Sequence, residues 1–339
     1  MESYAGVDLH KRVSQMAVLR KEGAPSQVRF PNELATVEKV LQRLPVGTKI
    51  ALEATGSWWW FVEKARSLGH EVSLSHPKQT KAIASARLKS DKVDAVMLAR
   101  LLKADLLPTV WIPGEREREV RELLTHRARV VRQRTAVINE VQAVYAKRNI
   151  DFEMIGQRTR PVVAGAQELS GYGPSIVGRD VGLIKILNEQ IRELDKELER
   201  IGKEDEQAKG LMTIDGVGPL TAVAVSCWVG DIHRFANAKK VASYFGLAPR
   251  VSQSGESEHH GHITKEGNRM VRWLLVEAAL SGIRRAKGPS RQHYLGVLKR
   301  RGKKIARVAA ANKLVGIMFH MMKDRIDYRE FLRRGGSAQ

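Results

Sequence analysis

The sequence has a single cysteine, Cys227, in 339 residues, so no disulfide can close within the chain and a reducing, intracellular setting is expected. It has no apolar run approaching the ~18 residues that a membrane-spanning helix needs. One of the longest, Leu314 to Phe319, covers six residues and includes a glycine. The start, Met1-Glu2-Ser3-Tyr4 with Asp8 soon after, lacks the basic flank and apolar core of a signal peptide. No Gly-x-x-x-x-Gly-Lys-Ser/Thr loop is present, so the sequence lacks that signature of nucleotide triphosphate binding. Acidic residues are in deficit, 37 against 58 Lys+Arg, for a net charge of +21. With 43% hydrophobic and 28% charged residues the chain can bury real cores, which excludes wholesale disorder. What remains is a cytoplasmic, nucleoid-associated protein of two or three domains whose partner is a polyanion, nucleic acid first.

The positive charge is concentrated. Residues 1–112 hold 17 basic and 11 acidic residues, residues 113–210 hold 18 and 17, and residues 211–339 hold 23 and 9. The last segment, at +14, is therefore the expected phosphate-contacting surface.

Three regions and a tail are expected. In residues 1–112, short β-branched or apolar runs at Tyr4–Leu9, Val13–Leu19, Gln27–Phe30, Lys49–Glu53 and Glu71–Leu74 read as strands. Helical spacing at Leu34–Leu44 and Ser57–Leu68 makes this an α/β domain. Residues 113–210 carry two long stretches free of proline and nearly balanced in charge, Glu115–Arg148 and Gly182–Lys209, read as the helices of an antiparallel coiled-coil hairpin serving as a spacer or oligomerisation arm. The segment Gly156–Gly178, with five glycines and two prolines, reads as an irregular tip. Residues 211–332 read as mainly helical with a polar loop from Arg250 to Gly267, and residues 333–339 as a disordered tail.

Four carboxylates stand out. Asp8 and Glu53 each end a strand, in Gly6-Val7-Asp8-Leu9-His10 and Leu52-Glu53-Ala54-Thr55-Gly56, and side chains at strand ends of an α/β sheet project into the crevice where sites form. Asp91 and Asp94 open an apolar helix running to Leu102, with Ser90 as N-cap, and residues three apart share a helical face. Such a cluster repels itself unless a hard divalent cation neutralises it, and Mg²⁺ held by carboxylates is the usual device for phosphoryl chemistry. The plain alternatives are a favourable helix-dipole partner for Asp91 and solvated strand ends for the others.

These segments carry a resemblance. Gly6-Val7-Asp8-Leu9-His10-Lys11, Glu53-Ala54-Thr55-Gly56-Ser57-Trp58 and Lys89-Ser90-Asp91-Lys92-Val93-Asp94-Ala95 resemble the three blocks of the DEDD insertion-sequence transposases, described as bridge-RNA-guided recombinases. Gly246-Leu247-Ala248-Pro249-Arg250, Ser254-Gly255, Ile263-Thr264-Lys265-Glu266-Gly267-Asn268 and Arg272 resemble that family's C-terminal transposase block. The resemblance implies a RuvC-like, RNase H type first domain with Asp8, Glu53, Asp91 and Asp94 holding Mg²⁺. It further implies a coiled-coil dimerisation arm, a helical C-terminal domain whose Ser254 attacks DNA, and a structured guide RNA.

Around Ser254 the residues leave choices open. Its segment Val251-Ser252-Gln253-Ser254-Gly255-Glu256 is polar, and a serine hydroxyl is a weak nucleophile until something takes its proton. His259, His260 and His262 follow as a base, a metal ligand or plain polar residues, and no Cys or carboxylate completes a zinc pattern. Activation by Mg²⁺ in the carboxylate site is favoured, and Ser252 is the control that chemistry alone does not separate from Ser254. Arg250, Lys265, Arg269 and Arg272 frame the segment as phosphate contacts. Ile214-Asp215-Gly216-Val217-Gly218-Pro219 resembles a helix-hairpin-helix turn, where Gly216 and Gly218 let backbone approach a phosphate; the alternative is a glycine turn between packed helices. The reading is a DNA transposase or recombinase, a homo-oligomer (dimer or tetramer) acting on donor and target DNA. Its rivals are a junction-resolving nuclease that uses water, and a non-catalytic nucleic-acid scaffold.

Overall fold

The computed structural model describes residues 3–19, 24–54, 56, 58–83, 91–150, 166–254, 257–285 and 289–336. It divides into two compact units, Met1–Pro113 and Gly114–Gln339.

The first unit is a mixed six-stranded sheet with strand order β3-β2-β1-β4-β5-β6. Its strands are β1 (Tyr4–Leu9), β2 (Val13–Leu19), β3 (Ser26–Pro31), β4 (Lys49–Glu53), β5 (Glu71–Ser75) and β6 (Thr109–Val110). β2 runs antiparallel to β1 and β3, whereas β1, β4 and β5 are parallel. Period-2 alternation sorts the side chains by face. Ala5, Val7 and Leu9 of β1 and Ile50 and Leu52 of β4 join one buried cluster with Val37, Val40 and Leu41 of α1 (Leu34–Gln42) and Phe61, Val62 and Ala65 of α2 (Trp59–Ser67). Ala51 of β4 belongs to a separate cluster with Leu98 and Leu101 of α4 (Asp91–Lys103), on the opposite face.

Gly6 shares that second face. A Cβ built there would lie 2.0 Å from the Ala95 carbonyl oxygen and 2.6 Å from the Ala99 nitrogen, so the bare glycine is what lets α4 lie directly on β1. A short helix, α3 (Pro77–Ile83), and strand β6 are the elements the sequence reading omitted. Both are brief, and β6, at two residues, is too short to display a period. Ser90 and Ser57 lie outside the described residues.

In the second unit α5 (Glu115–Ala146) and α6 (Gly173–Glu204) pack along each other. Val130, Val137, Val141 and Tyr145 meet Val177, Val181, Ile184, Leu187 and Ile191 in one buried seam. Arg127 pairs with Asp195 at 2.6 Å, and Arg134 donates to Asn188 at 3.1 Å. Seven residues forward on one helix match seven back on the other, so the pair is antiparallel. Helix α6 begins at Gly173, inside the segment expected to be irregular, because Pro174 occupies its first turn, where a missing N–H costs nothing. It stops at Glu204 rather than Lys209 because Asp205 leaves the helical conformation and caps α7 (Glu206–Met212), accepting from the Gln207 and Ala208 amides.

The remaining helices are α8 (Pro219–Val229), α9 (Ala238–Tyr244), α10 (Arg269–Arg285), α11 (Pro289–Asp324, interrupted at Gly302) and α12 (Tyr328–Arg333). Their core takes in Val120 and Leu124 of α5 and Leu198 of α6. Residues 113–210 and 211–332, which the sequence reading separates, therefore share one unit: the base of the hairpin supplies apolar residues to the C-terminal core. No helix among the described residues is long and apolar enough to cross a membrane.

Candidate active site

Sheet register decides what stands beside what. Val7 pairs with Leu52 across parallel strands β1 and β4, so Asp8 and Glu53 each follow that pair by one residue. Both lie on the α4 face, since Val7 and Leu52 belong to the opposite one. The N-terminal turn of α4 carries Asp91 and Asp94 over the same face.

The structure brings Asp8, Asp91 and His10 together. Oδ2 of Asp8 lies 3.1 Å from His10 Nε2, and that nitrogen lies 3.4 Å from Asp91 Oδ1. Among the described residues these three offer ligand atoms that all lie within 4.8 Å of one another. Asp8 is the most enclosed, its side chain 17% exposed against 53% for Asp91. Burial raises the Asp8 carboxyl above its ordinary pKa; His10 pulls it back down, and Asp91 and Asp94 push it up. Asp94 thus acts on the same charge, whereas Glu53 shares the row and face without being among the groups that shift Asp8.

His10 is the residue that sequence reasoning passed over. Its signal is the spacing Asp8-Leu9-His10 at the close of a strand: the chain turns after Leu9 and swings the imidazole back over Asp8. Asn32 holds that turn, its Nδ2 donating to the His10 carbonyl at 2.6 Å. Two carboxylates within ligand reach of each other, with Asp94 adding its charge, fit a hard divalent cation, and the His10 imidazole beside them broadens the set of ions the donors suit.

The serine region differs from expectation. The segment read as a polar loop is a two-stranded antiparallel ribbon of β7 (Pro249–Ser254) and β8 (Ser257–Ile263). Ser254, the last residue of β7, pairs with Ser257, and Ser252 pairs with His259. A strand of Ser, Gln and His hides its character because no apolar alternation marks it.

The ribbon's base is tightly built. Gly246 and Gly267 adopt left-handed φ values of 69° and 78°, and a Cβ on either would fall about 2 Å from the Glu266 or Tyr244 carbonyl oxygen. Arg272 donates from Nη1 to the carbonyls of Phe245 at 3.2 Å and Glu266 at 3.1 Å, and burial, then Arg269, lowers its pKa. It braces the ribbon, while Arg250, Lys265 and Arg269 are exposed. Asn268 caps α10 through the Met270 and Val271 amides.

The glycine turn also resolves into packing. At φ 88°, Gly216 faces α10, where a Cβ would lie 2.3 Å from the Gly282 nitrogen and 2.5 Å from the Ala278 carbonyl oxygen. Its close approach is to a helix. Gly218 has open space around it and caps α8 ahead of Pro219.

Two family models match the chain. A profile described as "Transposase" matches residues 5–147, and one described as "Transposase IS116/IS110/IS902 family" matches residues 208–295. Together they span more than half of the chain, which belongs to the IS110/IS116 transposases, enzymes that catalyse DNA cleavage and strand transfer.

Particular relatives agree. The chain is 28% identical over 344 residues to the "Probable family 20 transposase" of Pseudomonas aeruginosa, covering 96% of this chain and 98% of that protein. It is 29% identical over 334 residues to the transposase for insertion sequence element IS1111A of Coxiella burnetii, covering 96% and 90%. It is 28% identical over 286 residues to the pilin gene-inverting protein of Moraxella bovis, covering 81% and 80%.

Proposed function

We propose that this transposase cuts and rejoins DNA through a phosphoserine link at Ser254, with Asp8, Glu53, Asp91 and Asp94 as the metal-binding carboxylates. The observation that carries the reading is the approach of Asp8, at the end of β1, to Asp91 in the first turn of α4, with the Asp94 charge also acting on Asp8. The sheet order β3-β2-β1-β4-β5, in which β2 alone opposes the other four, supports a RuvC-like, RNase H type fold. A divalent cation, Mg²⁺ for an oxygen-rich set, would stabilise the charge that develops on the phosphoryl oxygens and the leaving oxygen.

The chain's own part is positioning. Ser254 Oγ forms a bond to phosphorus as one deoxyribose oxygen leaves and takes up a proton; a second deoxyribose hydroxyl later reverses the exchange and frees the serine. One phosphoester is made for each one broken, so no high-energy cofactor is consumed. Arg250, Lys265, Arg269 and the α8 N-terminus at Gly218 grip flanking phosphates, while Gly216 and Arg272 hold the framework that presents them.

A structured guide RNA is the further partner, supported by the family resemblance and by a C-terminal segment basic enough to bind a second polyanion. Its mark is one discrete RNA species co-purifying with the protein. The hairpin of α5 and α6 serves as the oligomerisation arm.

Asp94→Asn combined with Glu53→Gln should lower DNA strand cleavage at least a hundredfold while leaving the far-ultraviolet circular dichroism spectrum unchanged. Full cleavage by that variant would remove the carboxylates from the reaction.

A further inference from the structure

The face that carries Asp8 continues into a basic groove. Asp8 pairs with Gln15, and Gln15 pairs with Arg29, so the three residues form one row across β1, β2 and β3 on the α4 face. Strand spacing of ~4.8 Å sets Arg29 about 10 Å from Asp8 along that row. Lys11 and Arg12, at the β1–β2 turn, close over the same groove, a cavity of about 470 Å³ lined also by Ser14, Gln15 and Asp91.

The groove is preorganised. Ser14, 1% exposed, donates to Asn32 at 2.6 Å, and the Asn32 amide donates to the Arg12 carbonyl at 2.8 Å. Gln15, 4% exposed, donates to Gln27 at 3.4 Å. The turn bearing the cations is therefore pinned to Asn32, just after β3, whereas Lys11, Arg12 and Arg29 themselves are exposed and form no ion pair among the described residues.

We infer that this groove binds the phosphodiester backbone of the nucleic-acid strand entering or leaving the carboxylate site, with Arg12 and Arg29 on phosphates next to the reacting one. A groove that runs from cations to carboxylates suits a chain of repeating phosphates: the cations hold the flanking charges while the reacting phosphate is carried against the acidic end. A small anion would fill the basic end alone. The inference rests on the reading of Asp8 as part of the reaction site.

The test uses the full-length chain and a fluorescein-labelled 30-nucleotide single-stranded DNA, with Kd measured across salt concentrations. Each phosphate contact to a single strand contributes a slope of about 0.7 in log Kd against log salt. Arg12→Ala with Arg29→Ala should flatten the slope by about 1.4 and weaken binding roughly tenfold at low salt. Arg12→Lys with Arg29→Lys should restore the slope, since charge is kept. Lys39→Ala with Arg43→Ala, in and just after α1 on the other face of the sheet, should leave it unchanged. An unchanged slope in the alanine pair overturns the groove, as does an equal loss in the lysine pair or in the α1 pair. Asp8→Asn separates this from the reading beneath it. If Asp8→Asn still cleaves while the alanine pair loses slope, the reaction site is misplaced and the groove stands.

Discussion

One absent methyl group, at Gly6, decides where α4 lies. With the Ala95 carbonyl oxygen 2.0 Å from the position of an added Cβ, alanine cannot be accommodated unless strand and helix separate, and neither contact atom is a flexible side chain. Overpacking of this kind costs about 1–3 kcal/mol, more where backbone must move. Gly6→Ala should therefore lower the thermal midpoint of the full-length protein by several degrees in calorimetry and, by lifting Asp91 and Asp94 from Asp8, cut DNA cleavage at least tenfold. An unaltered midpoint with full cleavage would show that α4 does not depend on this contact. Residue reasoning from sequence singled out Asp8, Glu53, Asp91 and Asp94 because acidic side chains at strand ends and among apolar neighbours are conspicuous, and of these the structure sets Asp8 and Asp91 within ligand reach of each other. It passed over His10, whose place depends on how the chain turns after Leu9, and it left Gly216 between a phosphate contact and a turn between packed helices, where the structure shows a close approach to Gly282. Glycine reveals that something comes close; it does not reveal what.

Elements were legible wherever a period ran long enough. The strands β1, β2 and β4 and the helices α5 and α6 announce themselves by alternation or by long proline-free stretches, whereas the parallel pairing of β1 with β4 is seen only in the structure. The β7–β8 ribbon was read as a loop because its residues are polar on both faces, and the start of α6 was lost in glycines. The hairpin also shows a face the seam does not use. Ile176, Leu183 and Ile186 of α6 are 45%, 43% and 57% exposed, and their spacing of seven and three residues is that of a helical stripe. On the reading of α5 and α6 as an assembly arm, Leu183→Asp with Ile186→Asp should reduce the molar mass measured by light scattering to that of a smaller oligomer or monomer while helix content by circular dichroism stays constant. An unchanged mass would place the assembly surface elsewhere.

At the scale of the whole molecule, charge divides along the chain. The carboxylates sit in the first unit, and residues 211–339 hold 23 basic residues against 9 acidic. Lys299, Arg300, Arg301, Lys303 and Lys304, exposed on both sides of the Gly302 interruption in α11, extend that basic surface. Composition showed this division before any element was assigned, because net charge needs no fold to be counted. What composition could not show is that the acidic site has a basic margin of its own at Arg12 and Arg29. The central claim is that Ser254 becomes covalently joined to DNA, and the direct measurement is mass spectrometry of the protein trapped on a nicked substrate and digested with protease. A nucleotide adduct on the peptide carrying Ser254, absent from Ser254→Ala and retained in Ser252→Ala, is the predicted result. Cleavage by Ser254→Ala without any adduct on the parent protein would contradict the claim and leave water as the nucleophile.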